Sequence, residues 1–264
     1  MIRSAEEILN INTTEDFEVN KLSSNSESVE KNDIFFALKG LKTDGNKFVS
    51  KAVSSGAKAV FSEQTISGVD VPVYKVNDCR KTMAVLSNIY FDYPSEKMKL
   101  IGVTGTNGKT TVTYIINHIL ESAGKKTGLI GTNGNIINKR FFETSLTTPE
   151  SIDLNSLLSK MKSEDVEFVS MEVSSHSLAL KRVYGLEFDT AVFTNLTSEH
   201  LDFHNSMEEY FEAKKILFDS LKRINDKDNR TCAVYNSDDL YGRKIVSNSQ
   251  SEKISYGFHN ALYT

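Results

Sequence analysis

Cysteine, proline and excess positive charge are all scarce in this chain of 264 residues. Its two cysteines, Cys79 and Cys232, stand alone with no C-x-x-C spacing. That excludes a disulfide framework and a cysteine-rich zinc site, and it fits a reducing compartment. Lys and Arg number 31 against 35 Asp and Glu, a net charge of −4. Sequence-independent nucleic-acid binding relies on clustered cations, so no nucleic acid is expected as a partner. No apolar run approaches the roughly 20 residues that span a bilayer. The opening Met1-Ile2-Arg3-Ser4-Ala5-Glu6-Glu7 has no apolar signal-peptide core. A cytoplasmic protein without a membrane partner is therefore expected. No internal repeat and no low-complexity segment interrupt the chain. There are only three prolines, and each punctuates: Pro72 suits an edge strand, Pro94 closes a helix, and Pro149 falls in the first turn of another.

What is present is an ordinary globular composition, 39% hydrophobic and 25% charged, with length for one large or two ordinary domains. Residues 1–97 read as a small α/β domain. Ile34-Phe35-Phe36-Ala37-Leu38, Ala57–Phe61 and Val71–Val76 are strand-like. Phe48, Ala52 and Val53 mark one helix, and Met83, Leu86, Ile89 and Tyr90 another. Asp92–Lys97 is the expected linker. From residue 98 to 264 strands and helices alternate, the pattern of a mostly parallel sheet covered on both faces. Val166–Val173, Phe188–Asn195, Thr231–Tyr235 and Lys253–Tyr256 are expected strands, and Gly124 is the expected end of a helix. The chain reaches Thr264 without a clear closing element, so this second domain is expected to be incomplete.

The densest chemistry lies in Leu100-Ile101-Gly102-Val103-Thr104-Gly105-Thr106-Asn107-Gly108-Lys109-Thr110-Thr111. An apolar strand enters a glycine-rich loop that opens a helix near Lys109. Backbone N–H groups of such a loop surround phosphate oxygens. Lys109 can reach the β- and γ-phosphates, and the Thr110 hydroxyl can ligate Mg2+. The glycines fall at 102, 105 and 108, with Val103 where a strict Walker A has glycine, so the loop is a variant. It implies a nucleoside triphosphate. A small GTPase is set aside, because Asp239-Leu240-Tyr241-Gly242 lies too far from the loop and no N-K-x-D follows.

Three further features could belong to the same chemistry. Glu172 ends the strand Phe168–Glu172, where an acid is well placed to hold Mg2+, although many strands end in a merely solvated glutamate. His200 and His204, at i and i+4, could share a metal, but without a third ligand nearby they read as surface or core histidines. Lys214 sits in the middle of the apolar stripe Tyr210, Phe211, Leu217, Phe218 and Leu221. Two readings stay open for it. Its stem lies over apolar surface with the ammonium in water, the commoner outcome, or the amine is buried and driven toward a neutral, reactive form.

Several segments together resemble the Mur ligases, ATP-dependent enzymes that build the peptidoglycan peptide. They are Gly105–Thr111, Gly128-Leu129-Ile130-Gly131-Thr132, Leu146-Thr147-Thr148-Pro149-Glu150-Ser151 and Met171-Glu172-Val173-Ser174-Ser175-His176. Phe193-Thr194-Asn195-Leu196, Glu199-His200-Leu201-Asp202-Phe203-His204 and Tyr210–Phe218 complete a colinear series over nearly the whole chain. The resemblance narrows to the MurE type, which adds a third amino acid to UDP-N-acetylmuramoyl-L-alanyl-D-glutamate (UDP-MurNAc-L-Ala-D-Glu).

The resemblance implies an acyl-phosphate mechanism and a set of roles. Gly105, Thr106, Asn107, Gly108, Lys109, Thr110 and Thr111 would hold ATP. Thr110 and Glu172 would serve Mg2+, with His200 beside the metal and phosphates. Lys214 matches the family lysine carbamylated by CO2, an anion able to hold a second Mg2+. Lys109, Glu172, His200 and Lys214 would thus be the catalytic group. Thr147, Thr148, Ser174 and Arg182 match positions gripping the UDP-MurNAc-dipeptide, and Ser26 one that contacts its uridine diphosphate. The remaining partner would be a diamino acid, lysine or meso-diaminopimelate, and the ligase a monomer.

The chain also departs from its relatives. Their Asp-Ser-Arg is Asn25-Ser26-Glu27 here, which reverses a charge where a diphosphate is expected. Their Gly-Asp is Asn32-Asp33, and a glutamine two residues before the arginine is Leu180. Relatives continue into a third domain with an Asp-Asn-Pro-Arg motif, which this chain does not contain. The expectation is therefore the N-terminal domain and part of the central domain of a ligase, inactive alone. The alternative is a module that binds nucleotide or UDP-sugar without completing peptide synthesis.

Overall fold

The computed structural model describes residues 18–40, 43–199, 203–221 and 230–259. The chain divides into two compact units, Met1–Asp92 and Tyr93–Thr264. The break falls a few residues before the expected linker ends. The turn Pro94–Lys97 belongs with the second unit, where Ser95 Oγ accepts the Glu187 N–H at 3.1 Å.

The first unit is built on a four-stranded parallel sheet in the order β1-β2-β3-β4. Its strands are β1 Leu22–Ser23, β2 Ile34–Phe36, β3 Ala59–Ser62 and β4 Val73–Lys75. The central pair are buried throughout, as strands covered on both faces must be. Pro72 directly precedes the edge strand β4, where its missing N–H costs no ladder bond. Helix α1 spans Val49–Ser54 and packs Val49 and Ala52 into a cluster with Phe35 and Val60. Helix α2 spans Cys79–Tyr90, capped by Asp78, whose carboxylate accepts the Lys81 N–H at 2.8 Å.

The second unit alternates strand and helix as its sequence predicts, except where Thr127–Gly131, Gly134–Ile137 and Arg140–Phe142 follow one another directly as an antiparallel meander. It runs β5 Lys99–Thr104, α3 Lys109–Ser122, β6 Thr127–Gly131, β7 Gly134–Ile137, β8 Arg140–Phe142, α4 Ser151–Ser163, β9 Phe168–Glu172 and α5 Ser175–Ala179. There follow β10 Thr190–Phe193, α6 Met207–Asp219, β11 Cys232–Asn236, α7 Gly242–Ile245 and β12 Glu252–Tyr256. The eight strands lie in the order β12-β11-β10-β5-β9-β6-β7-β8. All pairings are parallel except those of β7 with β6 and with β8. Helix α3 ends as expected at Gly124, φ +78, with the Gly124 and Lys125 N–H groups bonded to the carbonyls of Glu121 and Leu120. Among the described residues no helix is long and apolar enough to cross a membrane.

Candidate active site

Strand β5 lies between β9 and β10, so the loop Gly105–Gly108 emerges where the carboxyl ends of three parallel strands meet. Open α/β sheets bind ligands at this place. Gly105 has φ +147, and a Cβ there would stand 1.9 Å from Thr194 Oγ1. Gly108, φ +84, starts α3, and no side chain caps the first N–H groups of that 14-residue helix. Its positive end therefore faces the cleft as a ready anion site. The loop is braced by residues just past β10. Thr106 N and Asn107 N donate to Asn195 O and Asn195 Oδ1 at 2.8 and 3.0 Å. Thr194 Oγ1 donates to Asn107 O at 2.7 Å.

Glu172, the last residue of β9, is 1% exposed, yet its carboxylate is richly bonded. Thr110 Oγ1 lies 3.0 Å from both of its oxygens. The Thr132 N–H donates to Oε1 at 2.8 Å, and Thr132 Oγ1 to Oε2 at 3.2 Å. A buried carboxylate so bonded, beside a hydroxyl at a phosphate loop, is a hard-oxygen donor set. It fits Mg2+, which takes one or two protein oxygens and completes its shell with water and phosphate. Among the described residues no group of three or more His, Cys, Asp or Glu side chains could cage a metal unaided.

Lys214, on α6, points inward, so of the two readings the buried amine holds. It is 1% exposed. Nζ donates to Gly105 O at 2.8 Å and lies 4.3 Å from the centre of the Tyr210 ring. Burial above all, and then the Lys109 charge, push its pKa down to about 6 against the pull of Glu199. Lys109 Nζ bends back to the same carbonyl at 3.1 Å and to Thr106 O at 2.8 Å. Its pKa is also lowered, chiefly by burial, with Glu172 and Glu199 acting the other way. The Tyr210 hydroxyl contacts Thr106 Oγ1 at 3.3 Å, and burial raises its pKa.

A cleft of about 510 Å³ joins the loop to the residues expected to grip substrate, including Thr147, Thr148, Ser174 and Arg182. The first turn after β9 holds them together. Thr148 Oγ1 donates to Glu172 O at 2.9 Å and accepts the Ser174 N–H at 3.3 Å. Arg182 Nη1 donates to Thr148 O at 3.1 Å, and Nη2 pairs with Glu150 at 2.8 Å. Buried Arg182 Nε has no protein partner. His200 lies outside the described residues. His204 is buried, with its ring 5.2 Å from that of Tyr210 and 5.8 Å from that of His176.

Ser26 belongs to the first unit and lines a separate cavity of about 340 Å³. Beside it, Glu27 forms an ion pair with Lys51, which offsets the reversed charge. Another cleft, of about 430 Å³, lies at the amino ends of the second sheet's strands. Its charges pair among themselves, Lys99 with Asp189 at 2.7 Å and Lys125 with Glu167 at 3.0 Å.

Sequence reasoning named Thr132, Thr194, Asn195 and Tyr210 within the shared segments but gave none of them a role in the site. As residue types they carry little chemistry. Their available signal was position, because Thr132 directly follows β6, and Thr194 and Asn195 directly follow β10, the strands on either side of the β5–β9 pair.

A family model described as the Mur ligase middle domain matches residues 103–263, and one described as the Mur ligase family catalytic domain matches residues 18–91. A Clostridium botulinum protein named UDP-N-acetylmuramoyl-L-alanyl-D-glutamate–2,6-diaminopimelate ligase is 44% identical over 244 residues, 91% of this chain and 49% of its own. A ligase of the same name from Caldanaerobacter subterraneus is 46% identical over 231 residues, 87% and 46% of the two chains. A solved structure of a ligase so named superposes with TM-score 0.81 at 30% identity, covering 97% of this chain and 53% of that one. The MurF ligase of Acinetobacter baumannii shares the fold, with TM-score 0.65 at 17% identity over 97% of this chain and 52% of its own. The chain spans about half the length of the curated relatives it matches.

Proposed function

The chain belongs to the Mur ligase family, and from that premise we propose that it supplies the ATP and UDP-substrate sites of a peptidoglycan-precursor ligase. The reaction is ATP-dependent addition of a diamino acid to UDP-MurNAc-L-Ala-D-Glu, in the cytoplasm. The observation that carries this reading is the single cleft uniting the phosphate loop, Glu172, and the Thr147–Thr148–Ser174–Arg182 group.

The chain's residues divide the work. The open amino end of α3, with Gly108 and Lys109, receives the terminal phosphates of ATP, drawing Lys109 off the Gly105 carbonyl. Thr110 and Glu172 would hold Mg2+, which when bound would supply positive charge against the transferring phosphoryl group. His200, which the resemblance assigns to the same cluster, lies outside the described residues. Arg182, whose side chain lines the cleft with Thr147, Thr148 and Ser174, would meet the anionic dipeptide. Ser26 meets the uridine diphosphate. The D-glutamyl carboxylate attacks the γ-phosphorus and ADP departs, leaving an acyl phosphate. The amine of the incoming amino acid then displaces inorganic phosphate through a tetrahedral intermediate and gives up a proton. Lys214, neutral near pH 7, can add CO2 to become a carbamate with release of one proton, exchanging a buried neutral amine for an anion that a second Mg2+ could bind.

The test is phosphate release with ATP, Mg2+, bicarbonate, UDP-MurNAc-L-Ala-D-Glu and a panel of amino acids. It is run on this chain and on this chain fused to the second half of a close relative. Activity of the fusion with one preferred diamino acid, lost on Lys109→Ala, is the expected result. A chain that binds ATP, with no turnover in either form, sinks the ligase reading and favours a binding module.

A further inference from the structure

Thr132 stands between the two halves of the cleft. Its N–H and hydroxyl meet the two oxygens of Glu172 at 2.8 and 3.2 Å, and the same hydroxyl lies 3.0 Å from Thr147 Oγ1. Strand β6 is shaped for this approach, since a Cβ on Gly131 would come 2.4 Å from Glu172 Oε1. Each hydroxyl has one proton, and a carboxylate only accepts. Thr132 therefore gives its proton to Glu172, and Thr147 must be the donor in the contact between the two threonines. The proton order is Thr147 to Thr132 to Glu172.

We propose that Thr132 is a positioning residue that fixes the Glu172 carboxylate for the cation and couples it to the substrate side of the cleft through Thr147. This rests on the function proposed above. A ligand that takes the Thr147 proton withdraws it from Thr132, and the bond from Thr132 to Glu172 weakens with it. Linkage then makes cation and substrate affinities depend on one another in both directions.

The experiment follows a fluorescent ATP analogue bound to the full chain while Mg2+ is titrated. Thr132→Val should raise the half-saturating Mg2+ concentration about tenfold, the usual effect of losing a group that orients a metal ligand. Thr132→Ser, which keeps the hydroxyl, should return it to within about twofold. Thr147→Val should raise Mg2+ demand in the native background and add nothing in the Thr132→Val background, because both act through one hydroxyl. Nucleotide affinity without Mg2+ should stay unchanged, which separates positioning from misfolding. Equal Mg2+ demand in wild type and Thr132→Val overturns the proposal, as does a Ser variant no better than Val. Additive effects of Thr132→Val and Thr147→Val overturn the coupling. A wild-type chain whose nucleotide binding ignores Mg2+ overturns the functional reading and the coupling with it.

Discussion

An amine buried like that of Lys214 must be discharged, paired or relieved by chemistry, and the local geometry offers little pairing. One carbonyl and one aromatic face receive it, while the neighbouring Lys109 repels it. With a folded pKa of about 6 against about 10.4 for a free lysine, the unfolded chain binds the extra proton throughout the range between them. Stability therefore rises with pH across that window, by about 1.4 kcal/mol per pH unit for one proton. The Cys79 thiol, pushed up to about 12 by burial, works in the opposite direction only above its unfolded value of about 8.5. Between pH 6.5 and 8.5 in CO2-free buffer, the stability gap between wild type and Lys214→Met should shift steadily toward wild type. Denaturant unfolding at four or five pH values reads this, and a constant gap would show that the ammonium is accommodated. Sequence periodicity placed Lys214 on the inward stripe but left its amine undecided. The deciding contacts, with Gly105 and the loop, lie more than a hundred residues away in sequence, where no local pattern reaches.

Elements carry a different share of the stability. Helix α6 brings Lys214 and Tyr210 to the loop, and its start is held by Ser206, whose Oγ accepts the Glu209 N–H at 3.2 Å. Glu209 reaches back to the Asn205 N–H at 2.8 Å, one residue before the usual capping-box partner. Ser206→Ala should destabilise the second unit by about 1 kcal/mol, whereas Ser206→Asp should be close to neutral because it keeps an acceptor beside a positive helix end. Equal loss in both variants, measured by denaturant unfolding, would show that the cap contributes nothing. The longer helices and the buried parallel strands were legible because their signals are local: apolar runs and a glycine after the last turn. Pro149 lies just before the N-cap Glu150 rather than in the first turn. The short helices Ser175–Ala179 and Gly242–Ile245 were not expected. The hairpin of β7 and β8 was not expected either. Its strands are short, Gly134-Asn135 and Asn138-Lys139 read as loop, and Arg140 and Phe141 are exposed. Edge pairing to β6 makes strands of them, and the same pairing orders the segment that precedes Thr147. β1, with only two residues, offers no periodicity at all.

At the scale of the whole molecule, the loop, Glu172 and the residues around Thr147 all lie within Tyr93–Thr264, while Ser26 belongs to Met1–Asp92. A nucleotide held only by the second unit stabilises that unit by mass action, about 2.7 kcal/mol at a hundred times Kd. This is a hundredfold in the opening equilibrium of amides that exchange only when the unit unfolds. Hydrogen exchange with saturating ATP and Mg2+ should therefore slow about a hundredfold in β5, β9 and β10, which are mostly buried. The buried strands β2 and β3 should exchange at their nucleotide-free rates. A UDP-linked sugar added alone should instead slow peptides around Asn25–Val29 in the first unit, because Ser26 and its cavity lie there. Equal slowing of both sheets by ATP would mean that the two units open as one cooperative body. The substrate sites would then be coupled through global stability rather than through the hydroxyl contacts of the cleft.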